Sequence, residues 1–313
     1  MRVDAHLHVH PPAYVEALRA LPGGLPPMPI PTLAGAREHM ARFGIDAAVV
    51  SAGPPGVFFG DRAQARELAR VVNEFEAELV RAEPERFAAL ASLPLPDLDA
   101  ALAELAHALD VLGLDGVWLP TNVGGTYLGE PALEPLFDEL ERRGAYVLVH
   151  PSFPPYRPPL EWPVWLVELP FETTRALVQL LYSGTLDRCP SVRLQLAHLG
   201  GTVPFLAERI ASLVEREPRF RAAIGGEPAS YLARLWYDTG LANARPGLAA
   251  TEAVAPLERI VFGTDWPYAA LPAEGADPAP ELASLGERRR LVDAANVAAL
   301  VPRFGEERQW STR

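Results

Sequence analysis

The chain has no lysine: all 28 basic residues among its 313 are arginines. That absence excludes a Schiff-base lysine as nucleophile and a carbamylated lysine as a bridge between two metal ions. A single cysteine, Cys189, excludes an intrachain disulfide and leads to the expectation of a reducing, cytoplasmic setting. No run of about 18 consecutive apolar residues occurs, so no membrane-spanning helix is expected. The first residues enter a strand pattern without a basic, then apolar, then small-residue leader, which argues against secretion. Positive charge is scarce as well. A net charge of −12 makes nucleic acid and anionic membranes unexpected partners. Small anionic substrates stay compatible with it, because a few arginines can be gathered in one cleft.

What the chain does contain is a repeated alternation of apolar runs and helical patterns. Strands are expected at 2–9, 47–52, 87–93, 116–120, 146–151, 193–200, 235–240 and 260–266. Most lack polar alternation, as strands buried on both faces do. Helices are expected at 61–82, 97–112, 131–143, 171–187, 203–216 and 280–300. Gly44, Gly113 and Gly144 each follow a helical pattern just before a strand, where a left-handed cap belongs. Eight strand–helix repeats in one chain predict a (β/α)8 TIM barrel, somewhat distorted, as a single domain over residues 1–313. A doubly wound open sheet is the second choice, weakened because no GxGxxG follows the first strand.

Two stretches interrupt the repeat. Residues 11–34, with "PGGLPPMPIPT", follow the first strand, and residues 151–170, "PSFPPYRPPLEWPVWLVELP", follow the fifth. Both leave the C-terminal ends of strands, where barrel enzymes place their active-site loops. The second holds Phe153, Tyr156, Trp162 and Trp165, a density of aromatics that suits a pocket wall. A contact with another subunit is the plainer use, and the two are compatible.

The same strand ends carry metal-ligand residue types. In "VDAHLHVHPP", His6 and His8 alternate on a strand and project to one face, and Pro11 and Pro12 end the strand beyond them. His150 closes the fifth strand, His198 the sixth and Asp265 the eighth. In a closed barrel these tips surround one mouth, so four histidines and an aspartate far apart in sequence converge. Taken singly, His150 before Pro151 is also a turn residue and Asp265 also a helix cap. His10 lies past the strand end and reads as loop, with a His8/His10 pair left open. His39 and His107 sit within helical patterns and read as structural.

The motifs "DAHLH", "VHP", "LAHLGG" and "FGTDWPY" resemble the amidohydrolase superfamily, in its amidohydrolase-related branch of metal-dependent decarboxylases. "EPERFAALASLPLPD", "LGLDGVWLPTNVGG", "WLVELPFETT" and "CPSVRLQLAHLGG" extend the resemblance over roughly residues 1 to 300. It implies one divalent ion per chain, zinc first and manganese second, bound by His6, His8, His150 and Asp265. It implies His198 as an acid/base beside that ion, with Asp265 also taking part in catalysis. It implies Trp165 in substrate binding and Arg209 in reaching the site of a partner within a homodimer; Trp162 and Phe153 join Trp165 as substrate-binding candidates because they share its aromatic loop. Two stretches depart from the family pattern. After the first strand the short "LPGGLPPMPIPT" stands, without an arginine, where the family has a longer segment carrying one, and "SFPP" replaces acidic and aromatic residues after the fifth-strand His-Pro.

The chemistry agrees with that implication. Three neutral imidazoles and one carboxylate leave a divalent ion with net positive charge and an open position, suited to polarising a substrate. A histidine, with an ordinary pKa near about 6.5, is the natural proton carrier beside it. The leading expectation is non-oxidative decarboxylation of a small unsaturated or aromatic carboxylic acid. Hydrolysis or hydration of a lactone, amide or conjugated acid would use the same ligands, and a barrel that only binds metal or a partner is the third reading.

Overall fold

The computed structural model describes residues 1–305 apart from 22–23, 25–27, 157–160, 269–271 and 273–275. Parts of both loop insertions, including 157–160 of the aromatic one, therefore lie outside the described residues. Eight strands form one parallel sheet in chain order: β1 (Val3–His8), β2 (Ala47–Ser51), β3 (Phe87–Ala91), β4 (Gly116–Pro120), β5 (Tyr146–His150), β6 (Arg193–Leu196), β7 (Trp236–Asp238) and β8 (Ile260–Val261). Past β8, residues 262–266 run beside β1 and bring the sheet back to its first strand. The amide of Ala5 donates to Phe262 O at 2.8 Å, that of Asp265 to His6 O at 2.8 Å, and that of His8 to Trp266 O at 3.1 Å. The expected barrel is the observed fold, and the open sheet is not.

The barrel interior is filled by side chains from alternate strand positions, among them Val49, Leu90, Trp118, Tyr146, Leu148, Trp236 and Val261. Val297, Leu300, Val301 and Phe304 close its floor from the C-terminal turns. The opposite strand faces, such as Val50, Phe87, Val117, Val149 and Leu196, pack against the surrounding helices. In β1 the alternation changes phase. Asp4 pairs with Ala48 and Leu7 with Val50, so β1 spends one residue more than β2 between these pairs. Val3 and Ala5 face the interior before this bulge, Leu7 and Val9 face outward after it, and His6 and His8 are thereby turned inward.

Helices fall largely where expected. Asp61 caps Arg62–Ala82 by accepting from the amides of Ala63 and Gln64, and Asp97 caps Leu98–Ala106 through Ala100. Gly44, Gly113 and Gly144 all have positive φ, at 60°, 72° and 55°.

Three expectations need correction. A helix over Pro12–Arg19 occupies the first loop insertion, which reads as loop from its flanking prolines. The helix expected from 171 begins at Val164 and contains Pro170. Its first turns are exposed at Trp165, Leu166 and Val167, so the carbonyl that Pro170 cannot satisfy is near solvent. The segment 280–300 is a series of short 3-10 and π turns, broken at Gly286 where φ is 56°.

Candidate active site

The C-terminal strand ends bring His6, His8, His150, His198 and Asp265 together, all buried. Asp265 is the hub. Its Oδ1 lies 3.2 Å from His6 Nε2, 3.0 Å from His8 Nε2 and 3.5 Å from His150 Nε2, and its Oδ2 lies 3.2 Å from His198 Nε2. The ligand atoms of His6, His150, His198 and Asp265 lie within 4.8 Å of one another. That set has His198 where the sequence reading places His8, although His8 touches the same Asp265 oxygen. His198 and Asp265 hold positive φ values of 58° and 57°, a region that non-glycine residues seldom adopt. Such backbone persists where surrounding contacts over-determine it, and here it aims both side chains into the mouth.

The far side of each ring is anchored. His6 Nδ1 meets Asp238 Oδ1 at 3.1 Å, His8 Nδ1 meets Ser51 Oγ at 3.2 Å, and His150 Nδ1 donates to Pro151 O at 2.9 Å. Tying up Nδ1 leaves the Nε2 lone pairs directed at the common centre, as in metal-binding histidines. Asp238 is itself fixed by Gln195 Nε2 at 2.8 Å and by the amides of His198 and Gly240 at 3.1 and 3.0 Å. Asp4 accepts from the amides of His6 and Thr264 and from the Thr264 hydroxyl, clamping β1 to the segment that carries Asp265.

The electrostatics divide the cluster. Burial holds His8 down to about 4 and also lowers His150, so both are neutral donors. Burial works against the charged form of His6 too, but Asp238 and then Asp265 outweigh it and raise this ring well above the ordinary range. Burial opposes ionisation of Asp265 as well, yet His6 and the hydrogen bonds from His150 and His198 hold its carboxyl well below it. His6 Nε2 is buried with no hydrogen-bond partner. An orphaned imidazole nitrogen, neutral imidazoles and an ionised carboxylate around one point fit a divalent metal ion.

Sequence reading missed Asp238, Ser51, Gln195 and Asp4, which orient the cluster from behind. The signal for Asp238 was present: it is an acid inside the apolar strand "LWYDTG". His39 is structural, as expected; it stacks on Trp266 with centroids 5.6 Å apart and meets Thr264 Oγ1 at 3.2 Å. His10 bonds Ala52 O at 2.9 Å, so the His8/His10 pairing does not form.

Of the expected substrate contacts, Phe153 lines a cleft beside the cluster, whereas Trp162, Trp165 and Arg209 are not among its described lining residues. Trp165 is 59% exposed, and Arg209 lies exposed on the helix Val203–Ala211. Trp165 lies in the first turn of the helix that begins at Val164 and Arg209 on the helix after the sixth strand, and neither is among the described lining residues of this cleft. No described helix is long and apolar enough to cross a membrane.

The chain is 32% identical over 237 residues to 2-amino-3-carboxymuconate-6-semialdehyde decarboxylase of Dictyostelium discoideum, covering 74% of this chain and 65% of that protein. It is 33% identical over 276 residues to 6-methylsalicylic acid decarboxylase of Penicillium expansum, covering 86% and 85%. A crystal structure described as an amidohydrolase II superposes with a TM-score of 0.87 at 27% identity, covering 96% of this chain and 100% of the other. The amidohydrolase family pattern matches residues 3–296. This extent of match makes the chain a member of the amidohydrolase family, and both of these curated relatives are named as decarboxylases.

Proposed function

We propose that the protein carries out non-oxidative decarboxylation of a small aromatic or unsaturated carboxylic acid with one divalent metal ion per chain. The observation that carries this reading is the convergence of four imidazoles on Asp265 at the mouth of the barrel. His6, His8, His150 and Asp265 would hold the ion, with zinc the first candidate and manganese the second. When bound, the ion would supply a Lewis acid that orients the substrate and offsets negative charge developing as carbon dioxide leaves.

The remaining steps belong to the protein. His6, His8 and His150 are held by Asp238, Ser51 and the Pro151 carbonyl, so their Nε2 atoms need little reorganisation. His198 exchanges a proton at Nε2. Its side chain is 9% exposed against 0–3% for the other four, so of the five it has the best access to a molecule in the mouth. As the bond to the carboxyl carbon breaks, its electron pair passes to the ring or alkene carbon, and His198 delivers the proton that this carbon takes up. Asp265 Oδ2 lies 3.2 Å from the same Nε2 and holds the ring at the mouth until the substrate carbon takes that oxygen's place as proton acceptor.

The described barrel and floor support one domain, and the single cysteine suits the cytoplasm. A homodimer is the assembly that suits the surface. Trp165, Leu166, Phe171 and, on the adjoining helix, Phe205 are exposed, Phe205 by 84%. Thr174 and Thr202 join these two helices through their hydroxyls at 2.7 Å. A second copy covering this apolar face would bring Arg209 toward its partner's mouth. Release of carbon dioxide from a panel of aromatic and unsaturated acids, with and without chelator, tests the function. Metal-dependent release is expected. Hydrolysis of lactones or amides without any carbon dioxide release would overturn the reading.

A further inference from the structure

A cleft of about 230 Å³ opens between the loop after β2 and the ends of β4 and β5. Two of its lining residues adjoin, in the chain, a cluster histidine or a residue that packs on the back of one. Gly53, just before the lining residue Pro54, packs so tightly on His8 that an added Cβ would lie 2.2 Å from Nδ1. Pro151, also in the lining, follows His150 directly and accepts from its ring. The walls are Pro55, Val57, Phe58, Leu93, Trp118 and Val123, with Phe153 at the rim, and no charged residue is among the described lining residues.

The polar side chains in the wall are already committed. Ser152 Oγ donates to Asn122 O at 3.0 Å and accepts from the Asn122 amide at 3.2 Å. Asn122 Nδ2 bonds Ser152, Phe153 O and Glu172 Oε2 at 3.0, 3.2 and 2.8 Å, while its Oδ1 accepts from the Gly125 amide. The Trp118 indole donates to Ser92 at 2.9 Å. Behind Asn122 lies the buried Glu172 carboxyl, held by Tyr127 and Arg175. The polar side chains of the described wall therefore offer an anion no free donor, and the group behind Asn122 is an acid.

We propose that this cleft is the subsite for the end of the substrate remote from the departing carboxylate, that it takes an uncharged alkyl substituent on a single ring, and that it excludes a second carboxylate. The inference rests on the decarboxylase reading for the departing group, but its selectivity follows from the wall alone. An anion placed there would lose its hydration with no free side-chain donor among the described lining residues to replace it. The cleft's volume is below the about 300 Å³ at which ligand pockets ordinarily begin, so it suits a short substituent and not a long chain.

Steady-state decarboxylation by the metal-loaded protein should be compared between hydroxybenzoic acids bearing a methyl group and analogues bearing a second carboxylate at the same ring position. The methyl acid is expected to lead by about 10²-fold in kcat/KM, the scale on which a mismatched buried polar group is rejected. Val123→Arg and, as an independent variant, Phe58→Arg should each narrow that ratio by about tenfold or more, because either supplies the missing cation. Calorimetric binding of the decarboxylated phenols, with methyl or carboxylate substituent, separates the two readings. If no acid is turned over but the methyl phenol still binds the more tightly, the decarboxylase reading falls and the subsite stands. Equal affinities, tighter binding of the carboxylate phenol, or binding of neither overturns the subsite.

Discussion

Asp238→Asn isolates the support of the metal site from the ligands themselves. The two side chains have nearly the same shape, so the barrel interior keeps its packing. Asp238 Oδ1 accepts from His6 Nδ1 and from the amides of His198 and Gly240, while Oδ2 accepts from Gln195 Nε2. An asparagine can keep its oxygen toward the first three donors only by setting its NH2 against the Gln195 NH2. Gln195 cannot simply turn over, because its Oε1 accepts from Tyr146 at 2.7 Å. One buried donor is left facing another, at about 1–3 kcal/mol. The negative charge that raises the basicity of His6 is lost as well. Loss of such a partner typically weakens metal binding by about 10–100-fold, or about 1.4–2.8 kcal/mol. Competition with a chromophoric chelator measures the affinity, and circular dichroism monitors the fold. An asparagine variant that folds normally and binds metal as tightly as the parent would refute the orienting role of Asp238.

The other expectations concern the cluster and the assembly. His198→Asn should keep nearly the parental metal content while turnover falls by about 10²–10⁴-fold; loss of metal would instead make His198 a ligand. Elemental analysis should return one divalent ion per chain, and His6→Ala, His8→Ala or His150→Ala should each lower that occupancy together with activity. Gly53→Ala places a Cβ 2.2 Å from His8 Nδ1 at a φ of +61°, so metal affinity and Tm should both drop; unchanged values would show that His8 has room to move. Phe205→Asp should shift the protein toward monomer in analytical ultracentrifugation, and Arg209→Ala should lower activity without dissociating it.

How much of this was legible in the sequence depended on the kind of signal. Strand tips ending in His150 or His198 are recognisable because an apolar strand stops at a polar residue, and the glycines at 44, 113 and 144 mark where helices must end. Convergence of the tips follows once the barrel is inferred. The helix start at Val164 was hidden because Pro170 reads as a break, although at an exposed helix end its missing donor costs little. The turns over 280–300 carry a helical apolar period, yet Gly286, at a φ of 56°, interrupts the helical backbone. Aromatic density in the loop after β5 is visible in sequence, but whether a tryptophan faces a cleft or an outer surface is decided by tertiary packing.

The β1 bulge shows why a correct residue assignment can rest on an incomplete geometric reason. Alternation alone puts His6 and His8 on one face but does not say which, and continuing the phase of Val3 and Ala5 would send both outward among the helices. Leu7 and Val9 would then enter the mouth. The extra residue between Asp4 and Leu7 reverses that phase at the point where the strand leaves the packed interior. Asp4, just before the bulge, takes the amides of His6 and Thr264, so one outward-facing carboxylate fixes both the irregular strand and the segment bearing Asp265. The site is thus assembled from departures from regular structure, a bulge at His6 and positive φ at His198 and Asp265. A regular strand reading finds the ligands because each departure moves the direction of a side chain and leaves its residue type in place.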